Sequence, residues 1–366
     1  MNDQVFAEPI IDPDRPIIDP HHHLWAPAAS TAALPLKQGG VSAEMEISAQ
    51  IIAKLRRNHS RYLLDEIMAD VTSGHNVRAT VFVESHAMYR KTGPVSLRSV
   101  GEIEVANGVA AMAASGAFGN VKICAGIVGS VDLRIGDKVK GVLEAHIRAG
   151  GDRYRGIRPV AVMYDSNLPL FGGVPHLLFE PAFRAGFRHL EPLGLSYDAC
   201  LWEPQLPDLI NLAHAFPETQ IVLNHVGGPI GIGSYTGKLG ERFPIWRKSI
   251  HKLSECGNVS VKLGGLGVPV SGLPSSTSSR PLSSQELADE WRPYFEACIE
   301  AFGVHRCMFE SNFPVDAAVA NYSKLWNTFK RIVNEASTRE KDALFSETAA
   351  RIYKINLCET DDNVDK

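Results

Sequence analysis

Long apolar runs are missing from this 366-residue chain. A membrane-spanning helix needs about 18 or more consecutive apolar residues, and no stretch of the sequence approaches that length. The acidic, proline-bearing stretch 1–15 also lacks the basic start and apolar centre of a secretory signal peptide. With 45% hydrophobic and 21% charged residues, the composition predicts a globular protein with a large core and no membrane partner.

Positive charge is not in excess. The chain has 37 Lys and Arg against 41 Asp and Glu, a formal charge of −4, and no long basic run. Proteins that bind nucleic acid carry basic patches or stripes. We therefore expect a small-molecule substrate and no nucleic-acid partner, and the sequence leaves a homo-oligomer open.

Paired cysteine motifs are absent as well. The six cysteines are scattered without a CxxC spacing, and most lie in apolar stretches, at positions 124, 200, 256, 298, 307 and 358. Such cysteines are typical of reduced thiols in a protein core rather than of a disulfide framework. This pattern predicts a cytoplasmic protein.

A glycine-rich nucleotide loop is also missing, because no GxGxxG or Walker-type motif follows the first strand candidate. What is present is a series of eight short, β-branched apolar runs. Their near-continuous apolar character is typical of parallel strands that are buried on both faces. The predicted strands are 17–23, 78–84, 121–127, 156–162, 195–201, 220–225, 259–263 and 307–312.

Amphipathic segments separate these runs. They predict helices over 61–73, 137–149, 180–190, 204–215, 244–256, 284–301 and 322–335. Eight strands alternating with helices favour a single-domain (β/α)₈ TIM barrel over an open doubly wound sheet. We expect an N-terminal extension over 1–16, the barrel over 17–356 and an acidic C-terminal tail over 357–366.

In such barrels, chemistry lies on the loops that follow the strands, at the C-terminal face. Three of these predicted loops are long: 26–50, 163–175 and 265–285. The last is rich in Ser, Gly and Pro and resembles a mobile lid.

The strongest local signal lies at the end of the first strand, in the stretch IDPHHHLW at 18–25. Alternate side chains of a strand share a face, so His21 and His23 point together into the barrel mouth and His22 points away. Two converging imidazoles bind a divalent metal or hold a substrate carbonyl. Asp19 lies deeper on the same face and is placed to orient a histidine.

Together with four later stretches in the same order, this motif resembles the amidohydrolase-related family. More narrowly, it resembles the lactonase branch that includes 2-pyrone-4,6-dicarboxylate lactonase and fuconolactonase. The later stretches are VLNHVGGP at 222–229, VKLGGL at 261–266, RCMFESNFPV at 306–315 and ETAARIY at 347–353. The resemblance implies a barrel that hydrolyses a cyclic ester or a related carbonyl compound. It also implies functional roles for His225, Arg158 and Lys262, the last two in substrate binding.

The sequence departs from the family pattern at two strand ends. The fifth strand of firmly metal-binding members ends in a histidine, where this chain offers only Asp198. The eighth strand of the family ends in an aspartate that is a general base or metal ligand, where this chain has Asn312. An amide is a weak ligand and takes no proton near neutral pH. Another carboxylate is therefore needed as the base, and Glu84 and Asp198 rank first because both end strands.

Further residues complete the predicted site. Glu310 and Asp316 are alternative bases, since one lies on the strand face of Asn312 and the other a short turn later. His86 follows Glu84, and Arg155 and Arg158 flank the fourth strand's start, where an arginine suits a substrate carboxylate.

The function that we expect is hydrolysis of a lactone, with His21, His23 and His225 polarising the carbonyl. They do so directly or through one divalent ion, zinc being the expected metal. Two alternatives are a metal-dependent decarboxylase of an aromatic or unsaturated acid and a non-catalytic metabolite-binding barrel. Carbon dioxide release distinguishes the first from ring opening, and any turnover excludes the second.

Overall fold

Eight parallel strands, paired in chain order, form a nearly closed barrel. The computed structural model describes residues 8–26, 60–159 and 174–357. The first and last strands meet at a parallel bridge, where the His23 N–H donates to the Phe313 carbonyl at 2.8 Å. The predicted (β/α)₈ barrel is confirmed. Its strands are β1 (Ile17–His22), β2 (Val77–Val83), β3 (Lys122–Gly129), β4 (Tyr154–Ile157), β5 (Ser196–Ala199), β6 (Ile221–Leu223), β7 (Val259–Leu263) and β8 (Cys307–Phe309).

Every predicted strand overlaps an observed one, and the differences lie at the ends. β4 begins at Tyr154 rather than at 156, and the predicted residues 160–162 lie outside the described part of the chain. β8 ends at Phe309 rather than at 312. Three residues further on, Asn312 has a left-handed backbone with φ of 51°, so the extended conformation does not continue to 312.

Helices follow the strands around the outside of the barrel. All seven predicted helices are present, with shifted ends. α6 starts at Leu239, so Pro244 lies within the helix rather than at its start. The helices are α1 (Leu64–Val71), α2 (Val100–Ala113), α3 (Val139–Gly150), α4 (Pro181–Phe187), α5 (Leu206–Ala215), α6 (Leu239–Ser254), α7 (Pro274–Thr277), α8 (Ser284–Phe302), α9 (Tyr322–Ile332), α10 (Thr338–Asp342) and α11 (Thr348–Ile352).

α2 was not predicted from the sequence pattern. Its exposed positions, 104, 108, 111 and 112, lie on one side, but three of them are Gly108, Ala111 and Met112. A helix whose exposed side carries few polar residues lacks the contrast between an apolar stripe and a polar face that periodicity analysis detects.

Two layers of apolar side chains hold the barrel together. Between strands and helices lies the larger cluster, to which Phe82, Cys124 and Phe309 belong. Alternate strand residues such as Val81 and Val222 form a second cluster, which Tyr353 joins from the chain segment after α11. Because the two clusters use opposite strand faces, a side chain's position along a strand decides which layer it enters.

The long loop over 265–285 is folded rather than extended. It contains a 3₁₀ turn at Pro269–Ser271 and the short helix α7. Leu273 is buried, and the Trp291 indole donates to the Ser275 hydroxyl at 3.2 Å. These contacts anchor the loop on α8, and its movement as a lid stays a prediction. The other two long loops lie largely outside the described residues.

Of the helices in the described ranges, none combines the length and apolar character that a membrane-spanning helix needs. Five of the six cysteines lie in these ranges, and all five are buried free thiols. The segment before β1 packs on the barrel, since the Ile11 N–H donates to the Asn327 side chain at 2.9 Å. The proposed domain limits stay predictions.

Candidate active site

The end of β1 brings His21 and His23 together and turns His22 away. The ring centroids of His21 and His23 lie 5.0 Å apart. The His22 ring instead contacts the outer layer, with Nε2 2.9 Å from the Thr80 hydroxyl and its ring near Phe82. This is the arrangement that strand periodicity predicts.

A single buried carboxylate, that of Glu310, contacts two of the histidines. Its Oε2 lies 2.5 Å from His21 Nδ1, and its Oε1 lies 2.7 Å from His225 Nδ1. The His225 backbone N–H also donates to Oε1 at 3.1 Å. The His225 contact is a hydrogen bond, and because an ionised carboxylate only accepts, the His225 ring donates from Nδ1. The His21 contact is close but lacks hydrogen-bond geometry, and Glu310 Oε2 has no hydrogen-bond partner among the described residues. His21 Nε2 accepts from Arg158, which leaves Nδ1 as the protonated nitrogen of a neutral ring. The two rings lie side by side, with centroids 4.7 Å apart.

His21 and His225 differ in charge although they share this partner. Burial lowers the pKa of His21 well below its usual value, and the positive charges of Lys262 and His225 lower it further. Burial also opposes the charge on His225. The Glu310 charge, with hydrogen bonds to Cys200 and Glu310, outweighs it and raises the pKa of His225 to about 10. At neutral pH the pair therefore consists of a neutral His21 and a cationic His225.

His23 is linked to the end of β8. Its Nδ1 donates to the Val83 carbonyl at 2.8 Å, and its Nε2 lies 3.3 Å from Asn312 Oδ1. Burial, followed by the Arg158 charge, lowers the pKa of His23 well below its usual value, so the ring is neutral. The Asn312 amide in turn donates to Asp316 Oδ1 at 2.9 Å. Asn312 therefore joins a histidine to a carboxylate.

Arg158 lies across the site from Glu310. Its Nε donates to Glu84 Oε1 at 2.9 Å and its Nη2 donates to the Glu84 backbone carbonyl at 2.7 Å. Its Nη1 donates to His21 Nε2 at 3.2 Å. The exposed ring of His86 lies 3.4 Å from Glu84 Oε2. These contacts fix a guanidinium beside the histidines, with Glu84 as its counter-ion.

Asp198 and Lys262 form an ion pair in the barrel interior. Lys262 Nζ lies 2.8 Å from Asp198 Oδ2, and both side chains are fully buried. The same oxygen accepts from the Tyr353 hydroxyl at 2.8 Å and from the Asn224 amide at 3.2 Å. Lys262 Nζ also lies 3.5 Å from His21 Nδ1. The predicted base Asp198 is thus held by three donors beneath the histidines.

Arg155 is separated from the other predicted site residues. Its Nε donates to the Tyr353 carbonyl at 2.6 Å, in the segment after α11. It also lines a cavity of about 200 Å³ with Glu191, Ser196 and Gln220, at the starts of the strands. The predicted role of Arg155 in substrate binding is corrected accordingly, because chemistry in these barrels lies at the opposite face.

Backbone geometry at the site is unusual. His225 and Asn312 both have left-handed φ values, 53° and 51°. Such strain at non-glycine residues persists where the surrounding structure holds it, often at functional sites. Gly265, with φ of 68°, packs against His225 so closely that a Cβ there would overlap the imidazole. The second glycine of the VKLGGL motif is therefore needed to seat His225, and the first, Gly264, packs in the same way against Glu310.

A family model described as amidohydrolase matches residues 18–355. The chain belongs to the amidohydrolase family. It is 33% identical over 342 residues to protein y4mH of Sinorhizobium fredii, which covers 93% of this chain and 99% of that protein. An L-fucono-1,5-lactonase of Burkholderia multivorans is 27% identical over 63% of this chain and 72% of its own. An amidohydrolase structure from Burkholderia multivorans with bound zinc has a TM-score of 0.63 at 23% identity, covering 93% of this chain and 99% of that one.

Family membership makes this protein an enzyme of the hydrolase class. The resemblance read from the sequence motifs is confirmed, including matches to lactonases of the expected branch. The zinc belongs to the Burkholderia structure, whose likeness to this amidohydrolase shows the fold alone.

Whether the histidines of this amidohydrolase fit a metal depends on Arg158. His21, His225 and Glu310 offer three ligand atoms within 4.8 Å of one another, a combination that zinc accepts. However, Glu310 already contacts Nδ1 of both rings, and His21 Nε2 accepts from Arg158. A divalent ion on His21 would lie against a guanidinium, with the Lys262 ammonium on the ring's other side. The site as arranged therefore does not fit an ion bound through His21.

Cys200 is the site residue that the sequence analysis missed. It forms a hydrogen bond with His225 and interacts electrostatically with Arg158. A usable signal was present, because Cys200 follows Asp198 by two residues and therefore shares its strand face. The family pattern has a histidine at the end of β5, and a thiol is not part of that pattern.

Proposed function

We propose that this amidohydrolase hydrolyses a small cyclic ester by adding water to the ring carbonyl. One observation carries the proposal: a single buried carboxylate, Glu310, orients His21 and His225 beside the fixed guanidinium of Arg158. A preorganised pair of cationic groups, His225 and Arg158, suits a reaction in which negative charge develops on a carbonyl oxygen. The 27% identical lactonase of Burkholderia multivorans supports this substrate class.

His225 is proposed as the acid. Its pKa of about 10 keeps the ring protonated at neutral pH. Hydrolysis of an ester leaves an alkoxide, which must gain a proton as the ring C–O bond breaks. With Nδ1 held by Glu310, the proton for the leaving oxygen comes from Nε2.

Arg158 is proposed to bind the developing oxyanion or a substrate carboxylate. Glu84 holds the guanidinium through two of its nitrogens, so the direction of the third, Nη1, is set. Arginine donors held in this way lose little freedom when a substrate binds. In this assignment Glu84 and Asp198 hold Arg158 and Lys262, and the proton of the attacking water goes to another carboxylate.

Because Arg158 occupies Nε2 of His21, no step is assigned to a metal ion. The predicted ligands His21, His23 and His225 act here as imidazoles. If an ion does bind, Arg158 must first leave His21. Removing the guanidinium by Arg158→Met is therefore expected to raise zinc affinity while lowering turnover, which isothermal titration with zinc measures directly.

A panel of lactones tests the function. Acid release in a pH-stat, with product analysis by mass spectrometry, is expected to show ring opening by one water. Carboxylic acids with an aromatic or unsaturated α-carbon form the comparison set, and carbon dioxide release from these would favour a decarboxylase. The variant Glu310→Gln is expected to lose ring opening, whereas Glu203→Gln alters an ion pair with Arg242 away from the histidines and is expected to keep it.

A further inference from the structure

The side chain of Asp316 is a buried carboxylate in which one oxygen forms no hydrogen bond with the residues that the structure describes. It follows β8 at the start of a short 3₁₀ turn and is fully inaccessible to solvent. Its Oδ1 accepts from the Asn312 amide at 2.9 Å. Its Oδ2 has no hydrogen-bond partner among the residues that the structure describes. A buried polar atom without a partner is destabilising, so its retention calls for a functional explanation.

The surroundings of Asp316 place it at the active site. Its carboxyl group interacts with the charges of His225 and Glu310 and accepts from the Gly267 backbone N–H. Gly267 lies so close that a Cβ there would come 3.1 Å from Asp316 Cγ. The loop after β7 and the end of β8 thus enclose the group next to the proposed acid.

The neighbouring carboxylates are engaged differently. Glu310 Oε2 also lacks a hydrogen bond, but it lies 2.5 Å from His21 Nδ1, and Oε1 bonds His225. Asp198 is bound by Lys262. Glu84 Oε2 also lacks a hydrogen bond, but the His86 ring lies 3.4 Å from it. Glu84 Oε1 accepts a hydrogen bond from Arg158. Within the described parts of the chain, Asp316 is the carboxylate of this group that forms no ion pair with a cationic side chain.

We propose that Asp316 takes the proton from the attacking water in the ring opening proposed above, and that Asn312 is the positioning residue that aims it. The inference rests on that proposed function. Asp316 Oδ2 accepts a proton from water, and the hydroxide oxygen bonds to the carbonyl carbon. The ring C–O bond then breaks, and the leaving oxygen takes a proton from His225. The proton on Asp316 returns to His225 through solvent, so the net change is addition of one water to the ester.

The protonation equilibrium of Asp316 suits this role. Burial raises the pKa of Asp316 to about 7; the His225 charge and the Asn312 hydrogen bond oppose the rise, and the Glu310 charge adds to it. A general base is most effective when its pKa lies near the working pH, because it is then both ionised and basic.

The orientation of the Asn312 amide is linked to the protonation state of Asp316. The neutral His23 ring carries its proton on Nδ1, so its Nε2 accepts. With the amide nitrogen towards Asp316, Asn312 donates to an ionised carboxylate, but its Oδ1 then faces His23 Nε2, a second acceptor, at 3.3 Å. When the amide is rotated by 180°, it donates to His23 Nε2 and accepts from a protonated Asp316. The two orientations exchange only the amide nitrogen and oxygen, which heavy-atom positions do not tell apart. An aspartate at position 312 would lose this second arrangement.

Three variants test the assignment in the full-length enzyme. Asp316→Asn is expected to lower kcat about 10²–10⁴-fold with little change in KM, and to abolish the rise of kcat/KM with pH near 7. The exchange Asn312→Asp with Asp316→Asn returns a carboxylate to the strand end and is expected to restore part of the rate. Asp70→Asn is the matched control, because Asp70 is a largely buried aspartate with a raised pKa that bonds Tyr62 away from the histidines.

Infrared difference spectra between pH 5 and pH 9 provide a readout that needs no substrate. Asp19, Asp70 and Glu102 have raised pKa values of about 6, 6 and 8 and also contribute protonated-carboxyl intensity in this range. The readout is therefore the component that titrates near pH 7, which should be missing in Asp316→Asn but present in Asp70→Asn. If the wild type opens lactones and Asp316→Asn keeps its rate and pH profile, the base assignment is overturned and the function stands. If no lactone is opened, the proposed function fails. A band that does not change with Asp316→Asn overturns the assignment in either case.

Discussion

Replacing Glu310 by glutamine removes the charge that keeps His225 protonated. With a pKa of about 10, His225 has about 300 charged rings for each neutral ring at pH 7.5. Without the Glu310 charge, burial remains as the largest influence, and the pKa is expected to fall below the usual value of 6.5. At most about one ring in ten is then charged at pH 7.5.

Glutamine also disturbs the second ring. Its oxygen can accept from only one imidazole, so its amide nitrogen faces the Nδ1 of the other. If the His21 proton moves to Nε2, the new N–H repels Arg158 Nη1, which in the wild-type structure donates to that nitrogen. We therefore expect kcat/KM to fall by about 10²–10⁴-fold, from the loss of the acid and of the oriented guanidinium together.

Long-range ¹H–¹⁵N correlation spectra give the assay, because they report the protonation of both ring nitrogens of His225 as the pH is changed. Glu203→Gln, a buried glutamate paired with Arg242, controls for the loss of any buried ion pair. A His225 ring that still titrates near pH 10 in Glu310→Gln would refute the electrostatic argument.

Three further outcomes follow from the contacts. Arg158→Lys cannot reproduce the three-way contact with Glu84 and His21, and we expect kcat/KM to fall about 10²-fold or more; an unchanged value would contradict the role of the guanidinium. Cys200→Ala removes a hydrogen bond that raises the pKa of His225, so NMR titration should show a lower pKa. Burial raises the pKa of Asp70 from 3.8 to about 6. The stability that this protonated group contributes is full below pH 3.8 and is lost as the pH rises through about 6. In Asp70→Asn this pH-dependent loss in the free energy of unfolding should be absent. Its upper limit is about 3 kcal/mol, and the partial exposure of Asp70 makes it smaller. Urea unfolding from pH 4 to 7 measures it.

Local periodicity was enough to predict the part of the site that lies on one strand. The spacing of His21 and His23 decides that they share a face, whatever the rest of the fold does. The barrel topology then brings the end of β6, with His225, to the same rim. Both arguments need only secondary structure and strand order.

Periodicity and strand order do not predict contacts between side chains from different strands. Asp198 pairs with Lys262 in the barrel interior, and this pairing depends on the depth of each residue in the barrel. That Glu310 serves two histidines depends on the left-handed turn at His225. α2 was not predicted for a different reason, because its exposed side carries Gly108, Ala111 and Met112 and offers little polar contrast to the buried side.

The central claim is that the oriented histidines and Arg158 open a lactone with water and without a bound metal. Wild-type enzyme, dialysed against chelator and checked by elemental analysis, can be incubated with the lactone panel in H₂¹⁸O. We expect a ring-opened hydroxy acid that carries one ¹⁸O in its new carboxyl group, at the rate of the untreated enzyme. Loss of turnover on chelation with recovery on adding zinc, or release of carbon dioxide instead of a hydroxy acid, would contradict the account.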